Sequence, residues 1–427
     1  MEQAELGFKV KKTSAKITPH GGLVLVDRMA HALGVLTSLE ERLGHLKIRN
    51  RGHKISDKVM DVVRMLVAGG SAISDLGKLR DDKVLKEALG RDSLMACSTA
   101  SEFLAQLAPV DIRHLSCIEG RAACDTLHLS RRERATLDVD VTFIESHKRE
   151  AVMSYHKEPG YYPMLGFAAE TQGLLLSEFR DGNASPASGA LPFLKEMVRR
   201  LPPTVKRIRV RSDSAWFNHR VMDWSDDRGI EFAITAEKNE HMADVVEAIP
   251  EEVWEVFGDD PDEQIAESVY SFEHGKRAYR IIVLRTPRRQ TNMFEGRYCY
   301  HAIITNMDWG RRNLVKWHRE RATSENWIKE LKSGFGLDHL PSGKFFSNAA
   351  FLHIVGLAYN LTCALKVLSL PEEYRSSTIK TLRYRLINIA AIWVRHARQY
   401  MLKFSASAKL VHLIQSILHQ PFKLCRA

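Results

Sequence analysis

The sequence predicts an α/β protein: a mixed sheet with flanking helices, interrupted by a β-rich insertion and bracketed by helical N-terminal and C-terminal regions. Two observations carry this. Between 131 and 236, runs of period-two alternation and turn residues are interleaved with two helical segments, in the order β-β-β-α-β-α-β. From 237 to 311 the runs are strand-like, and helical periodicity then returns over 312–370.

Residues 1–130 read as mostly helical. KVMDVVRMLVAGG (58–70) has helical periodicity, with Ser56 as a candidate N-cap and Gly69-Gly70 as a stop. SDLGKLRDDKVLKEALG follows as a second helix, and Thr99-Ala100-Ser101-Glu102 reads as a capping box before FLAQL. Short helices joined by tight turns suit a helix-turn-helix-like DNA-binding region, and suit any helical bundle equally. In ATLDVDVTFIES (135–146), Leu137, Val139, Val141 and Phe143 share one face, with Asp138, Asp140 and Thr142 on the other. GYYPMLGFAAE and GLLLSEFR are two further strands and RDGNASPASG (180–189) a loop. ALPFLKEMVRRL is a helix, VKRIRVRSD (205–213) a strand ending at Asp213, FNHRVMDWSDDRG a helix and IEFAITA (230–236) a strand. The insertion, 237–311, reads as a β-rich subdomain. Residues 312–370 are helical, as are the basic residues 371–427, with RYRLINIAAIWVRHARQYMLK as their main helix.

Composition fits a sizeable soluble enzyme. The 427 residues carry 62 Lys and Arg against 52 Asp and Glu, a net charge of +10 that favours a polyanionic partner. Six cysteines show no CxxC and no zinc-like spacing, so they read as reduced thiols. MEQAELGFKVKK lacks the apolar core of a signal peptide. AAFLHIVGLAYNLTCALKVL (349–368) holds His353, Asn360 and Lys366, and reads as a buried core helix rather than a membrane span. A cytoplasmic, nucleoid-associated protein with no membrane partner is expected.

Three carboxylates stand in settings that metal-dependent phosphoryl transfer needs. Asp140 lies on the first strand, Asp213 ends the fourth, and Glu325 lies in WHRERATSENWIKELKSGFGL (317–337). On one ideal helix, Glu325 shares a face with His318, Arg321 and Lys332, while Trp317, Trp327, Ile328, Leu331 and Phe335 form a separate apolar arc. Glu330 falls off the Glu325 face and reads as a solvated charge. Taken alone, each Asp is more often a turn or cap residue, and Arg321–Glu325 is also what an i,i+4 salt bridge looks like. Glu145, Glu178 and Asp181 are less well placed. The element order is that of a ribonuclease-H-like catalytic core, in which Asp140, Asp213 and Glu325 converge. Such carboxylates bind two divalent cations about 3.5–4 Å apart, and all-oxygen ligands suit Mg²⁺, with Mn²⁺ as a substitute. Asp138, on the same face as Asp140, is the alternative first ligand. Trp309 is a candidate for base stacking.

The spacing His318, Arg321, Glu325, Lys332 resembles the Tyr-Arg-Glu-Lys signature of DDE transposases of bacterial insertion sequences, in the branch with a β-rich insertion (the "thirteen-eighty" group). Asp140-Val141-Thr142 is similar to that family's first-Asp motif and RSDSAWF (211–217) to its second; GYYP, RDGNAS and AYNL (358–361) also fit. His318 stands where the signature has Tyr. The resemblance covers 130–370 well and the ends loosely. It implies a transposase that binds the double-stranded terminal inverted repeats of its own element, cleaves them with Mg²⁺ and joins the 3′-hydroxyl ends to target DNA, as a homodimer in a synaptic complex. Arg321, Lys332 and His318 would hold phosphates. The alternatives are a ribonuclease-H-like nuclease without strand transfer and a non-catalytic DNA-binding regulator.

Overall fold

The computed structural model describes residues 11–48, 51–258, 260–288 and 297–422. Its centre is one mixed sheet of nine strands: β1 (Arg134–Val141), β2 (Met164–Ala168), β3 (Gly173–Glu178), β4 (Arg207–Ser212), β5 (Glu231–Thr235), β6 (Glu255–Val256), β7 (Gln264–Ser271), β8 (Ala278–Pro287) and β9 (Tyr298–Thr305). They lie side by side as β6-β7-β8-β9-β5-β4-β1-β2-β3. β1, β4 and β5 are parallel to one another, and β2 runs antiparallel to β1. The register sets Val139 opposite Ser212, so Asp140 and Asp213 are the next residue along on two adjacent parallel strands.

The strands of 237–311 prolong this sheet instead of standing apart. β9 pairs with β5, Ile304 opposite Ile234, and the alternation Ile281, Val283, Ala302, Ile304 continues one apolar face of the core. That face also carries Leu137 and Val139, covered by Phe193 and Met197 of α2. The helices that flank the sheet and carry the site include α1 (Pro109–Leu129), α2 (Ala190–Arg200), α3 (His219–Asp226), α4 (Arg311–Arg319), α5 (Thr323–Lys329) and α6 (Phe345–Leu368). On the opposite face, Leu165 and Phe167 pack against Trp327, Leu331, Phe335 and Tyr359. α6 is long and apolar enough to cross a membrane, yet 89% of its apolar window is packed inside the fold. Asn360 explains the polar residue at its middle. Its amide donates to the carbonyls of Glu119 and Leu174 and accepts the Leu174 N–H, tying α6 to α1 and β3 with both donors and the acceptor oxygen engaged.

Three local expectations are corrected. The helix expected at 58–70 spans Ile55–Ala68, with Lys54 at its N-cap; the Ser56 N–H bonds the Glu40 carboxylate, and Gly69, at φ 112°, ends it. Thr99–Glu102 lies inside the helix Cys97–Gln106, because burying Ala100, Phe103 and Leu104 together extends the helix beyond the local cap signal. The third correction is larger: most of RYRLINIAAIWVRHARQYMLK is not helical. Residues Ala391–His396 (β10) and Gln399–Phe404 (β11) form a hairpin whose first strand also pairs with Ile17–Thr18. Ala397 and Arg398 both take positive φ, the left-handed pair that a two-residue hairpin turn needs. Trp393 and Val394 favour a strand, and a partner hundreds of residues away outweighs local helix propensity.

Candidate active site

β1 directs Leu137 and Val139 into one core, which leaves Asp138 and Asp140 on the other face. The two aspartates have different partners. Asp138 is fully buried, and Arg211, opposite it on β4, donates Nε and Nη2 to its two oxygens at 2.7 Å each. Arg211 also donates Nη1 to the Trp317 carbonyl at 2.6 Å. Both Asp138 oxygens are therefore engaged by a buried guanidinium. Asp140, one pleat further, is partly exposed and meets Arg321 instead.

Asp213 is half-buried one residue beyond β4, where its carboxylate accepts the Ala215 N–H at 3.0 Å and opens a short 3₁₀ turn. Glu325 is exposed on the first turn of α5. The segment 317–337 is not one continuous helix. α4 ends at Arg319, a 3₁₀ turn covers Glu320–Ala322, α5 comes next, and Glu330–Gly334 is a π-turn. Each change of pitch rotates the next segment about the helix axis, so the face expected to unite His318, Arg321, Glu325 and Lys332 is broken up.

His318 points inward. It is 4% exposed, its Nε2 lies 3.5 Å from the Thr235 hydroxyl, and its ring sits 6.1 Å from that of His301. Burial, with His301 and Arg321 adding to it, pushes its pKa down to about 3, so it is neutral at physiological pH. It presents no surface cation to a phosphate, which corrects its expected role. Arg321, on the 3₁₀ turn, ion-pairs with Asp140 at 3.1 Å rather than with Glu325. Lys332 donates to the Phe143 carbonyl at 2.9 Å and lies 3.7 Å from Asp338. It borders a cleft of about 960 Å³ between residues 72–74, 143–148 and 338–341.

The apolar arc divides at the same break. Trp327, Ile328, Leu331 and Phe335 enter the main core, whereas Trp317 joins a separate cluster with Leu314 and Trp309. Trp309 is half-buried, edge-on to Trp317 at 5.5 Å and covered by the Arg209 guanidinium at 4.4 Å, so it serves packing there. Glu330 is not a solvated charge: it accepts the Ile379 N–H at 2.8 Å, and burial raises its pKa.

Electrostatics joins the three carboxylates. Burial is the main cause that pushes the Asp140 carboxyl up to about 6; Arg321 opposes the rise, and the charges of Asp213 and Glu325 add to it. Among the described residues, no three His, Cys, Asp or Glu side chains already converge at metal-holding spacing. The donor set nevertheless fits a hard divalent cation, since all three groups are carboxylates and their mutual repulsion is what such a cation relieves. The structure also explains the other motifs. Arg180 of RDGNAS donates to the Tyr162 carbonyl of GYYP at 2.9 Å and to the Ser188 carbonyl at 2.9 Å, strapping the loop down beside β2. Sequence reading misses Arg211, although its place two residues before Asp213 mirrors that of Asp138 before Asp140.

A family model described as "Transposase DDE domain group 1" matches residues 4–424. No match is found among curated proteins. Among solved structures, the chain is similar to one described as a piggyBac transposase synaptic complex with hairpin DNA. That likeness has 10% identity and a TM-score of 0.39, covering 96% of this chain and 88% of that one. With the family model spanning nearly its full length, the chain belongs to the transposase DDE domain group 1 family and is a DDE-type DNA transposase.

Proposed function

We propose that the chain is the transposase of a bacterial insertion sequence of the Tyr-Arg-Glu-Lys branch. It binds its element's terminal inverted repeats as a synaptic homodimer in the cytoplasm, on the nucleoid, and performs Mg²⁺-dependent cleavage and strand transfer by a cut-and-paste route. The observation that supports this most is the register that sets Asp140 and Asp213 side by side on adjacent parallel strands, with Arg321, from the turn just before Glu325, ion-paired to Asp140. The strand order, with β1 between antiparallel β2 and parallel β4, supports a ribonuclease-H-like core. Asp140, Asp213 and Glu325 would hold the metal, which when bound activates the attacking water or 3′-hydroxyl and stabilises the departing oxygen. Arg321 keeps N–H donors beyond the one given to Asp140 and offers them to a phosphate, and Lys332 supplies a cation to the lining of the cleft. His318 is buried against Thr235 and His301 and serves packing instead.

The decisive test incubates the protein with its element ends, target DNA and Mg²⁺ and scores cleaved and joined products. Binding without any product overturns the catalytic reading, and cleavage without joining reduces it to a nuclease. Arg321→Ala should slow single-turnover cleavage by roughly tenfold to a thousandfold, about 1.4–4 kcal/mol, through lost strand positioning and charge stabilisation. Arg321→Lys keeps the charge without the fork and should recover part of the rate. Cleavage at the unsubstituted rate in Arg321→Ala would strike out the clamp and leave the carboxylates untouched.

A further inference from the structure

The net charge of this chain is not spread over it. Glu373 is the last acidic residue; beyond it stand ten Lys and Arg and no Asp or Glu, so this tail accounts for the whole excess of +10. Within it, the β10–β11 hairpin carries Arg395, Arg398 and Lys403, all exposed. None of the three has an ion-pair partner among the described residues.

The hairpin is held firmly at one end and free at the other. Ala391 is fully buried, its partner Phe404 packs against the main core, and Ile17–Thr18 adds a third strand at the base. Everything from Arg395 round to Tyr400 is exposed. Trp393 and Tyr400 stack at 5.3 Å with 14° between their planes, and Arg395 lies 5.5 Å over Tyr400, which stiffens the projecting part. At the tip, Ala397 and Arg398 adopt φ 46° and 66°, where Gly or Asn would fit with less strain. The strained turn keeps a cation at the furthest point of the ribbon.

We propose that this ribbon is the grip on duplex DNA, entering the major groove tip first, with Arg398 at the base edges on its floor and Arg395 and Lys403 on the phosphates that flank it. A two-stranded ribbon is what the major groove admits, being about 12 Å wide and about 8.5 Å deep. The four residues per strand beyond the anchored base, at about 3.3 Å each, give a projection of roughly 13 Å, enough to span that depth. The inference rests on the proposed DNA transposition and assigns the grip to an element read from sequence as helix.

The test uses the full chain and a plain 30-bp duplex without Mg²⁺, so it is independent of the carboxylate site. The triple variant Arg395→Ala, Arg398→Ala, Lys403→Ala is compared with the unsubstituted protein by affinity at several salt concentrations. Loss of two phosphate contacts and one base-edge contact should weaken binding at least tenfold at low salt. It should also lower the slope of log affinity against log salt by about two. Dimethyl sulfate footprinting should show guanine N7 protection in the major groove that the variant loses. Unchanged affinity and slope in the variant overturn the proposal even if the protein cleaves its element ends. Protection confined to adenine N3 in the minor groove overturns the placement. So does preferential binding of anionic vesicles over duplex. Conversely, a protein that grips duplex through the ribbon yet never cleaves leaves this inference standing and removes the catalytic one. A thermal melt of the triple variant, expected to match the unsubstituted protein at these exposed positions, excludes misfolding.

Discussion

Asp213→Ala and Glu325→Ala are each expected to reduce cleavage of the element's ends by roughly a thousandfold or more, about 4 kcal/mol in the barrier, with duplex binding nearly unchanged. Structural loss does not account for an effect of that size. The visible local role of Asp213 is to accept the Ala215 N–H, a capping bond worth about 1 kcal/mol. Glu325 is exposed on its helix, and surface substitutions away from special features stay within about 0.5 kcal/mol. Both variants should therefore melt close to the unsubstituted protein and still bind DNA, since these carboxylates repel phosphate and attract it only through a cation. Single-turnover cleavage, duplex affinity and a thermal melt on the same preparations separate the possibilities. Cleavage retained above a few per cent in either variant removes that residue from the metal site.

The central sheet was legible because its strands alternate cleanly and end at turn residues: Leu137 and Val139 against Asp138 and Asp140 is a period that only a strand satisfies. Asp140 was then legible as a residue of the first strand and Asp213 as the end of the fourth, and the parallel register sets them side by side. The Glu325 face was only half legible. Helical-wheel geometry assumes one pitch, and the 3₁₀ turn at 320–322 turns Arg321 onto Asp140 and leaves His318 facing Thr235 and His301. Nothing local announces that turn. The C-terminal hairpin was illegible for a different reason. Its residues tolerate helix, and what decides against it is a strand at Ile17–Thr18 and the buried seat of Ala391. The β-rich character of 237–311 was readable, but its attachment to β5 depends on an edge contact that no local pattern encodes.

Asp138 and Asp140 could not be told apart by sequence, since a period of two puts both on one face. Their substitutions should separate cleanly. Asp138→Ala leaves the Arg211 guanidinium buried beside β1 with its principal counter-charge gone. Breaking a buried pair in this way costs about 3–5 kcal/mol. Exposed Glu320, 3.2 Å from Nη1, offsets little of that. Replacing both partners at once, Asp138→Leu with Arg211→Met, removes the orphaned charge and should return much of the loss. Asp140→Ala should behave in the opposite way. Its carboxyl is raised above its unfolded value, so it favours folding while protonated and opposes folding once the pH has risen past about 6. At pH 7.5 its removal should leave stability level or slightly higher, while cleavage falls as far as in Asp213→Ala. Arg321, already partly exposed, turns to solvent without the penalty that Arg211 meets. Urea melts at pH 7.5, with cleavage assayed well below each transition, read the two effects separately. An Asp138→Ala protein as stable as the original but unable to cleave would transfer the first metal ligand from Asp140 to Asp138.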